Sequence, residues 1–356
     1  MTRRSLLAPP VMALAAPGRE FEAQAQRLHL RHTWTTTMSS SDYRDVIYTT
    51  LTREGITGHG EGAPIVRYKE SAATGVPALE AMRTVLAEAD WRQYRKVIGR
   101  MHRLMEGHWA AKAAVDIALH DWAAQKMGVP LYRMLGLDKN DAPVTTFSIG
   151  IDNPEMTKQK VREAEPYPVL KIKVGLDSDE ATIEAVRSVT KKPLRVDANE
   201  GWKTKEEAVR KINWLDTQGV ELVEQPLAAH MLEDMKWVRS KVHIPVIADE
   251  ASLHPADVPR LAPYFDGVNV KVDKCGGLLE ALRMIEMARS LGLKVMLGCM
   301  ISSSVAITAA AQLSPLVDYA DLDGHLLIRD DPYVGVEVER GKLVLPDGPG
   351  LGLRKR

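Results

Sequence analysis

Cysteine is scarce in this chain: Cys275 and Cys299 are the only two in 356 residues, too few for a disulfide framework or a zinc knuckle. Net charge is lacking as well, with 47 Lys and Arg against 47 Asp and Glu. That balance gives no electrostatic footprint for nucleic acid or an anionic membrane. No apolar run approaches the roughly 20 residues of a membrane-spanning helix. These absences leave a globular enzyme or small-molecule binder, long enough to bury a sizeable core without disulfide or metal staples.

Met1 to Gln26 reads apart from the rest. Arg3-Arg4 precedes a short apolar stretch, Leu6 to Ala16, interrupted by Pro9 and Pro10. The small-residue triplets Ala13-Leu14-Ala15 and Ala23-Gln24-Ala25 have the composition of cleavage sites. The expected role is a twin-arginine export signal, hence a periplasmic protein. The alternative is a disordered extension on a cytoplasmic one. Either way, residues 1–26 are placed outside the fold.

Residues 27–142 alternate like strands first and then turn helical, as in an α+β domain. Strands are expected over Leu28–Trp34 and Asp45–Arg53, then a turn-rich stretch from Gly55 to Gly62. Helices are expected over Ala78–Glu88 and His108–Met127. In the longer one Ala111, Val115, Ala118, Leu119 and Trp122 recur at helical spacing, giving one apolar face, and Gly128-Val129-Pro130 ends it. His59, His108 and His120 read as packing or surface groups here rather than ligands.

From residue 143 the rhythm changes. Eight short β-rich runs recur about every 25 residues, each followed by a charged helical stretch: Thr145–Gly150, Leu170–Val174, Leu194–Asp197, Leu222–Glu224, Val246–Asp249, Gly267–Lys271, Lys294–Gly298 and Tyr319–Asp323. Eight such units close into a (β/α)8 TIM barrel, here over residues 143–328, without a regular last helix. Residues 329–356 hold a hairpin pattern, Val334–Val338 and Lys342–Leu345, expected to return to the N-terminal capping domain.

A barrel carries its chemistry at the C-terminal ends of its strands. Those ends read Lys171 and Lys173, Asp197, Glu224, Asp249, Lys271, then Asp321 and Asp323. Three carboxylates on successive strands, with no His or Cys among them, suit a hard divalent cation such as Mg2+. Lys171 and Lys173 share a strand face, and two neighbouring cations lower each other's pKa toward that of a usable base. Lys271 lies across the barrel from them, so a substrate carboxylate on the metal would have a lysine on each face of its α-carbon. Asp321 and Asp323 also share a face and suit a substrate cation, or else a helix cap or salt bridge. Cys299 sits near the mouth without a base to activate it.

The strings Lys171-Ile172-Lys173-Val174-Gly175, Asp197-Ala198-Asn199-Glu200-Gly201-Trp202, Glu224-Gln225-Pro226, Ala248-Asp249-Glu250 and Lys271-Val272-Asp273-Lys274-Cys275-Gly276-Gly277 resemble the enolase superfamily, and within it the muconate-lactonizing subgroup. Ala113 to Asp121, through Pro130-Leu131-Tyr132, is similar to that subgroup's capping domain. Strand seven, Val295 to Met300, lacks the histidine expected of a mandelate-racemase-like member. Asp321-Leu322-Asp323, Gly298-Cys299-Met300-Ile301 and Thr146 to Asp152 resemble the dipeptide epimerases.

The resemblance implies Mg2+, with Mn2+ as a substitute, on Asp197, Glu224 and Asp249. It implies Lys173 and Lys271 as the acid/base pair, with Lys171 tuning Lys173 and facing substrate. Substrate contacts are implied at Asp321, Asp323, Asn199, Cys299 and Met300. The implied reaction inverts the α-carbon of a dipeptide's C-terminal residue, as in L-Ala-D/L-Glu epimerases of peptidoglycan peptide metabolism, through a metal-stabilised enediolate. A homo-oligomer is also implied. An N-acylamino acid racemase, o-succinylbenzoate synthase or cycloisomerase is the alternative within the superfamily. A Schiff-base lysine enzyme and a silent binder are the alternatives outside it. The Thr35–Asp42 loop lacks the arginine that meets a glutamate side chain in Ala–Glu epimerases, and Arg44 just beyond is the candidate to replace it.

Overall fold

The computed structural model describes residues 20–356. The N-terminal unit opens with a three-stranded antiparallel sheet, β1 (Phe21–Thr35), β2 (Ser40–Arg53) and β3 (Ile56–Gly62). The fold therefore begins six residues earlier than the sequence suggests. Phe21 is buried opposite Leu51, and Ala23-Gln24-Ala25 pairs with Tyr48 and its neighbours inside β1, so this triplet is strand rather than cleavage site. Arg3-Arg4 and Ala13-Leu14-Ala15 lie outside the described residues. Glu54 and Gly55, both at positive φ, form the two-residue loop between β2 and β3.

Apart from Gly55, the Gly55–Gly62 stretch is strand, not turn. Its glycines at 58, 60 and 62 all meet a helix backbone, because an added Cβ would lie 2.1 Å from the Ala118 carbonyl, 1.8 Å from Ala114 and 1.8 Å from Ala110. Helices α1 (Ala72–Glu80), α2 (Arg83–Glu88), α3 (Tyr94–Leu104), α4 (Trp109–Met127) and α5 (Leu131–Met134) follow. The single helix expected over Ala78–Glu88 is thus two, divided at Ala81-Met82. The alanine-rich α4 is buried from Ala110 to Ala124 on every side rather than along one face, since it lies between the cap sheet and the barrel. Gly128, at φ 71°, ends it by donating to the Ala124 carbonyl.

The second unit is a parallel eight-stranded sheet: β4 (Phe147–Ile149), β5 (Leu170–Lys173), β6 (Leu194–Asp197), β7 (Val220–Glu224), β8 (Val246–Ala248), β9 (Gly267–Lys271), β10 (Lys294–Gly298) and β11 (Tyr319–Asp321). A bridge between Thr145 and Ala320 joins its two edges, closing the barrel. Helices α6 (Pro154–Glu163), α7 (Asp179–Arg187), α8 (Lys205–Thr217), α9 (Leu232–Arg239), α10 (Asp257–Leu261), α11 (Val272–Cys275), α12 (Leu278–Ser290) and α13 (Ser304–Ala311) fill the crossovers. After β11 only a 3-10 turn, Gly324–Leu327, stands where a last helix would be, as the sequence suggests.

Four short strands complete the chain: β12 (Tyr333–Val334), β13 (Glu337–Glu339), β14 (Lys342–Val344) and β15 (Arg354–Lys355). The β13–β14 hairpin does not go to the cap as expected. Gly341 at its turn accepts from Thr145 N before β4, and Leu343 and Leu345 join the barrel core. Its flanks do return to the cap: Arg329 N donates to the His29 carbonyl and Leu351 N to Asp121 on α4.

Candidate active site

The barrel register delivers the polar strand ends to one mouth. Lys173 pairs with Asp197, and Asp197 in turn with Glu224, so these residues stand at one level on β5, β6 and β7. Asp249 follows β8 immediately. One carboxylate oxygen each from Asp197, Glu224 and Asp249 lie within 4.8 Å of one another, and all three residues are buried. Such an all-oxygen donor set fits a hard divalent cation.

Lysines surround the triad. Lys173 Nζ donates to Asp197 Oδ2 at 2.5 Å from one side, and Lys271 Nζ to Asp249 Oδ2 at 2.7 Å from the other. Lys171 Nζ stands 3.1 Å from Asp197, 2.7 Å from Glu224 and 2.7 Å from Asp321. Burial alone would lower the Lys171 ammonium, but Asp321, Glu224 and Asp197 hold its pKa well above the ordinary lysine value. For Lys171 this corrects the expectation that a neighbouring cation lowers it: it is a fixed charge held among carboxylates. Lys271 is likewise raised by Asp249 and Glu224 against burial. Among the carboxylates, burial and the adjacent Asp197 push Glu224 up to about 7. Against the same burial, Lys271 and Lys274 hold Asp249 well below the usual range.

Beyond Lys171 lies the aspartate pair. Asp321 accepts from Thr146 Oγ1 at 2.5 Å and from Ser148 Oγ at 3.3 Å, while Asp323 accepts from Ser148 N at 2.5 Å. Lys171 and Thr146 bring Asp321 down to about 2 despite burial. Burial and the neighbouring Asp321 push Asp323 up to about 7. The pair therefore tends to hold one negative charge, to be joined by a second when a cation arrives. Cys299 and Met300 run against this corner: the Met300 carbonyl lies so near Gly324 that a Cβ there would be 2.6 Å from it. Burial, with Asp323 and Asp321, drives the Cys299 thiol well above its usual pKa, which leaves it a neutral wall.

Two cap segments cover the mouth. Thr37 Oγ1 donates to the Asn199 carbonyl at 2.9 Å, and Gly175 lets this loop approach, since a Cβ there would be 2.6 Å from Thr37. Arg67, in the 3-10 turn Val66–Tyr68, grips Glu200. Asn199 donates its own N–H to Asp197 and its amide to Glu250. Arg44 does not join the loop: it stands in β2 opposite Leu28 and donates to the Tyr43 carbonyl.

Several participants carry no role in the sequence reading. Lys274, inside the quoted Lys271–Gly277 string, donates to Asp249 Oδ1 and to the Asp249 and Asn269 carbonyls. Asn269 Nδ2 donates to Glu224 Oε1 at 2.6 Å, and Gly298 makes room for it, as a Cβ there would be 2.6 Å from its amide. Strand alternation signals Asn269, two residues before Lys271 on the same face. Ser148 and Thr146 stand likewise at a two-residue spacing on one face. Nothing in the local pattern signals Lys274, which reaches Asp249 from the turn of helix after β9.

The barrel, its cap and the lysine-flanked carboxylates define the enolase superfamily. The chain belongs to its mandelate racemase and muconate lactonizing enzyme family: residues 21–136 match that family's N-terminal domain and residues 155–355 the enolase C-terminal domain-like fold. It is 42% identical over 329 residues to an L-Ala-D/L-Glu epimerase of Bacteroides thetaiotaomicron, covering 92% of this chain and 86% of that protein. It is also 42% identical over 340 residues to an L-Ala-D/L-amino acid epimerase of Pedosphaera parvula, covering 93% and 97%. Among solved structures, the dipeptide epimerase of Enterococcus faecalis with Mg and L-Leu-L-Tyr superposes with a TM-score of 0.88 at 33% identity, over 94% of this chain and 98% of that one.

Proposed function

We propose that the protein is a Mg2+-dependent dipeptide epimerase that inverts the α-carbon of the C-terminal residue by proton transfer between two lysines. The carrying observation is the placement of Lys173 and Lys271 on opposite sides of the Asp197–Glu224–Asp249 triad, with the Asp321/Asp323 pair beyond Lys171. The three carboxylates would hold Mg2+, which when bound supplies positive charge against the negative charge developing on the substrate carboxylate. The rest is the work of the chain's own side chains. One lysine removes the α-proton from one face and the other returns a proton from the opposite face, the direction depending on the substrate's configuration. Lys171 adds a permanent positive charge beside the site. Asp321 and Asp323 receive the α-ammonium of the first residue, which distinguishes a free dipeptide from an N-acylated amino acid.

The side chain of the epimerised residue faces the cap. The Thr35–Asp42 loop has no arginine, and Arg67 is engaged by Glu200, so a neutral second residue fits this site better than an acidic one. The test is a dipeptide library in D2O with Mg2+, read by mass spectrometry for one deuteron gained, with EDTA as control. Exchange in a subset of dipeptides, lost with EDTA, is the expected result. Exchange only in N-acylated amino acids would overturn the reading of the aspartate pair.

A further inference from the structure

The Ile65–Glu70 segment is anchored at both ends and free in between. At its start Asp273 accepts from Ala63 N at 2.7 Å; at its end Glu70 accepts from Trp109 N at 2.5 Å and Ala110 N at 3.1 Å. Both anchors are buried or half-buried, whereas Val66 between them is 86% exposed. Among the described residues, the one hydrogen-bonded tie from residues 64–69 to the barrel is Arg67 on Glu200, a bidentate pair at 2.9 and 3.0 Å. Its side chains are 36% and 13% exposed, so water can reach the pair and it can open without stranding a buried charge.

Glu200 is an unusual place to land. It follows Asn199, and both sit at positive φ, 62° and 43°, conformations that non-glycine residues adopt only when their surroundings impose them. Glu200 N donates to the Gln225 carbonyl, and its carboxylate also accepts from Ala229 N on the next loop. Asn199, beside it, takes Thr37 from the other covering loop and contacts both Asp197 and Glu250. Both cap segments thus dock on two adjacent residues, with Ala198 alone between them and Asp197 of the carboxylate triad.

We infer that the Arg67–Glu200 pair is the latch that holds the Ile65–Glu70 segment closed over the barrel mouth, with Arg67 a positioning residue that keeps this segment over the bound substrate. The consequence for turnover rests on the epimerase reading; the latch itself does not.

The test compares wild type with Arg67→Met and Arg67→Lys in the full chain. Hydrogen–deuterium exchange of residues 65–70, followed without substrate, decides the latch: at least about tenfold faster exchange in Arg67→Met, confined to this segment and largely restored in Arg67→Lys, is expected. With a dipeptide that the wild type epimerises, KM should rise about tenfold in Arg67→Met while kcat holds, because the lysines and carboxylates are untouched. Unchanged exchange in 65–70 would overturn the latch whatever the activity. Faster exchange with an unchanged KM, or with kcat falling instead, would overturn the positioning role. A wild type without dipeptide turnover would sink the epimerase reading and leave the exchange result to decide the latch.

Discussion

Lys173 and Lys271 each lean on a different carboxylate of the triad, so each can be removed without disturbing the other's partner. Lys173→Ala and Lys271→Ala should each lower epimerisation by about 10²- to 10⁴-fold, the usual worth of a positioned acid or base. Each should still exchange the α-proton of one substrate isomer with D2O, and the two variants should retain opposite isomers. Proton NMR of each isomer in D2O checks this, and full epimerisation by either variant would end the two-base assignment. These lysines were legible as residues because strand alternation and the charged strand ends are written in the sequence. The ionisation of Lys171 and Lys271 was not. Against burial it depends on Asp197, Glu224 and Asp249, joined at Lys171 by Asp321, which arrive from other strands and raise both ammonium groups.

A different single residue, two positions past Asp323, sets a pH limit on stability. Burial lowers the pKa of His325 from 6.5 to about 4. A folded pKa below the unfolded one contributes stability that is full above 6.5 and lost as pH falls through about 4. The full span amounts to about 3 kcal/mol. Denaturant unfolding at pH 7.5 and pH 4 should show His325→Gln losing less stability on acidification than the wild type. Equal losses would mean that His325 keeps its ordinary pKa in the fold.

At the scale of elements, the barrel strands were legible and β3 was not. The barrel strands are short runs that, β11 apart, each hold at least one Val or Ile, and they fall within a few residues of where they were expected. In β3 the same Gly-x-Gly-x-Gly spacing that reads as turn serves instead to bring α4 onto the sheet. The reason lies in a partner some fifty residues away: the alanines of α4 present bare backbone, and only glycine opposite them leaves room. Gly60→Ala should therefore destabilise the protein by about 3 kcal/mol, the upper range for overpacking, because the obstructing atom is a helix carbonyl that cannot rotate aside. Gly55→Ala, with open space around it, meets only the cost of its positive φ. Paired denaturant curves test the contrast, and equal losses at the two glycines would show that α4 yields.

Across the whole molecule, cap and barrel are joined by buried carboxylates that accept from backbone N–H groups of the other unit. Asp116 on α4 takes Leu278 N at the start of α12, Asp273 takes Ala63 N, and Glu61 on β3 takes Ser303 N, Ser303 Oγ and Ala306 N at the start of α13. None of this was legible, because an acidic residue in an apolar segment looks like a surface charge until its partner from the other domain is known. The joint carries a pH dependence of its own. Burial pushes Glu61 from 4.5 up to about 7, with Asp273 also up to about 7. A folded pKa above the unfolded one contributes stability that is full below 4.5 and lost as pH rises through about 7. For Glu61 that span is again about 3 kcal/mol. Glu61→Gln, neutral at every pH, should therefore gain stability relative to the wild type between pH 5 and pH 8. Protection of residues 303–306 from exchange in the wild type, taken relative to the intrinsic rate at each pH, should fall over the same interval. A pH-independent difference between the two proteins would show that the three donors around Glu61 hold it ionised throughout, and that the joint is a permanent charge-assisted cap on α13.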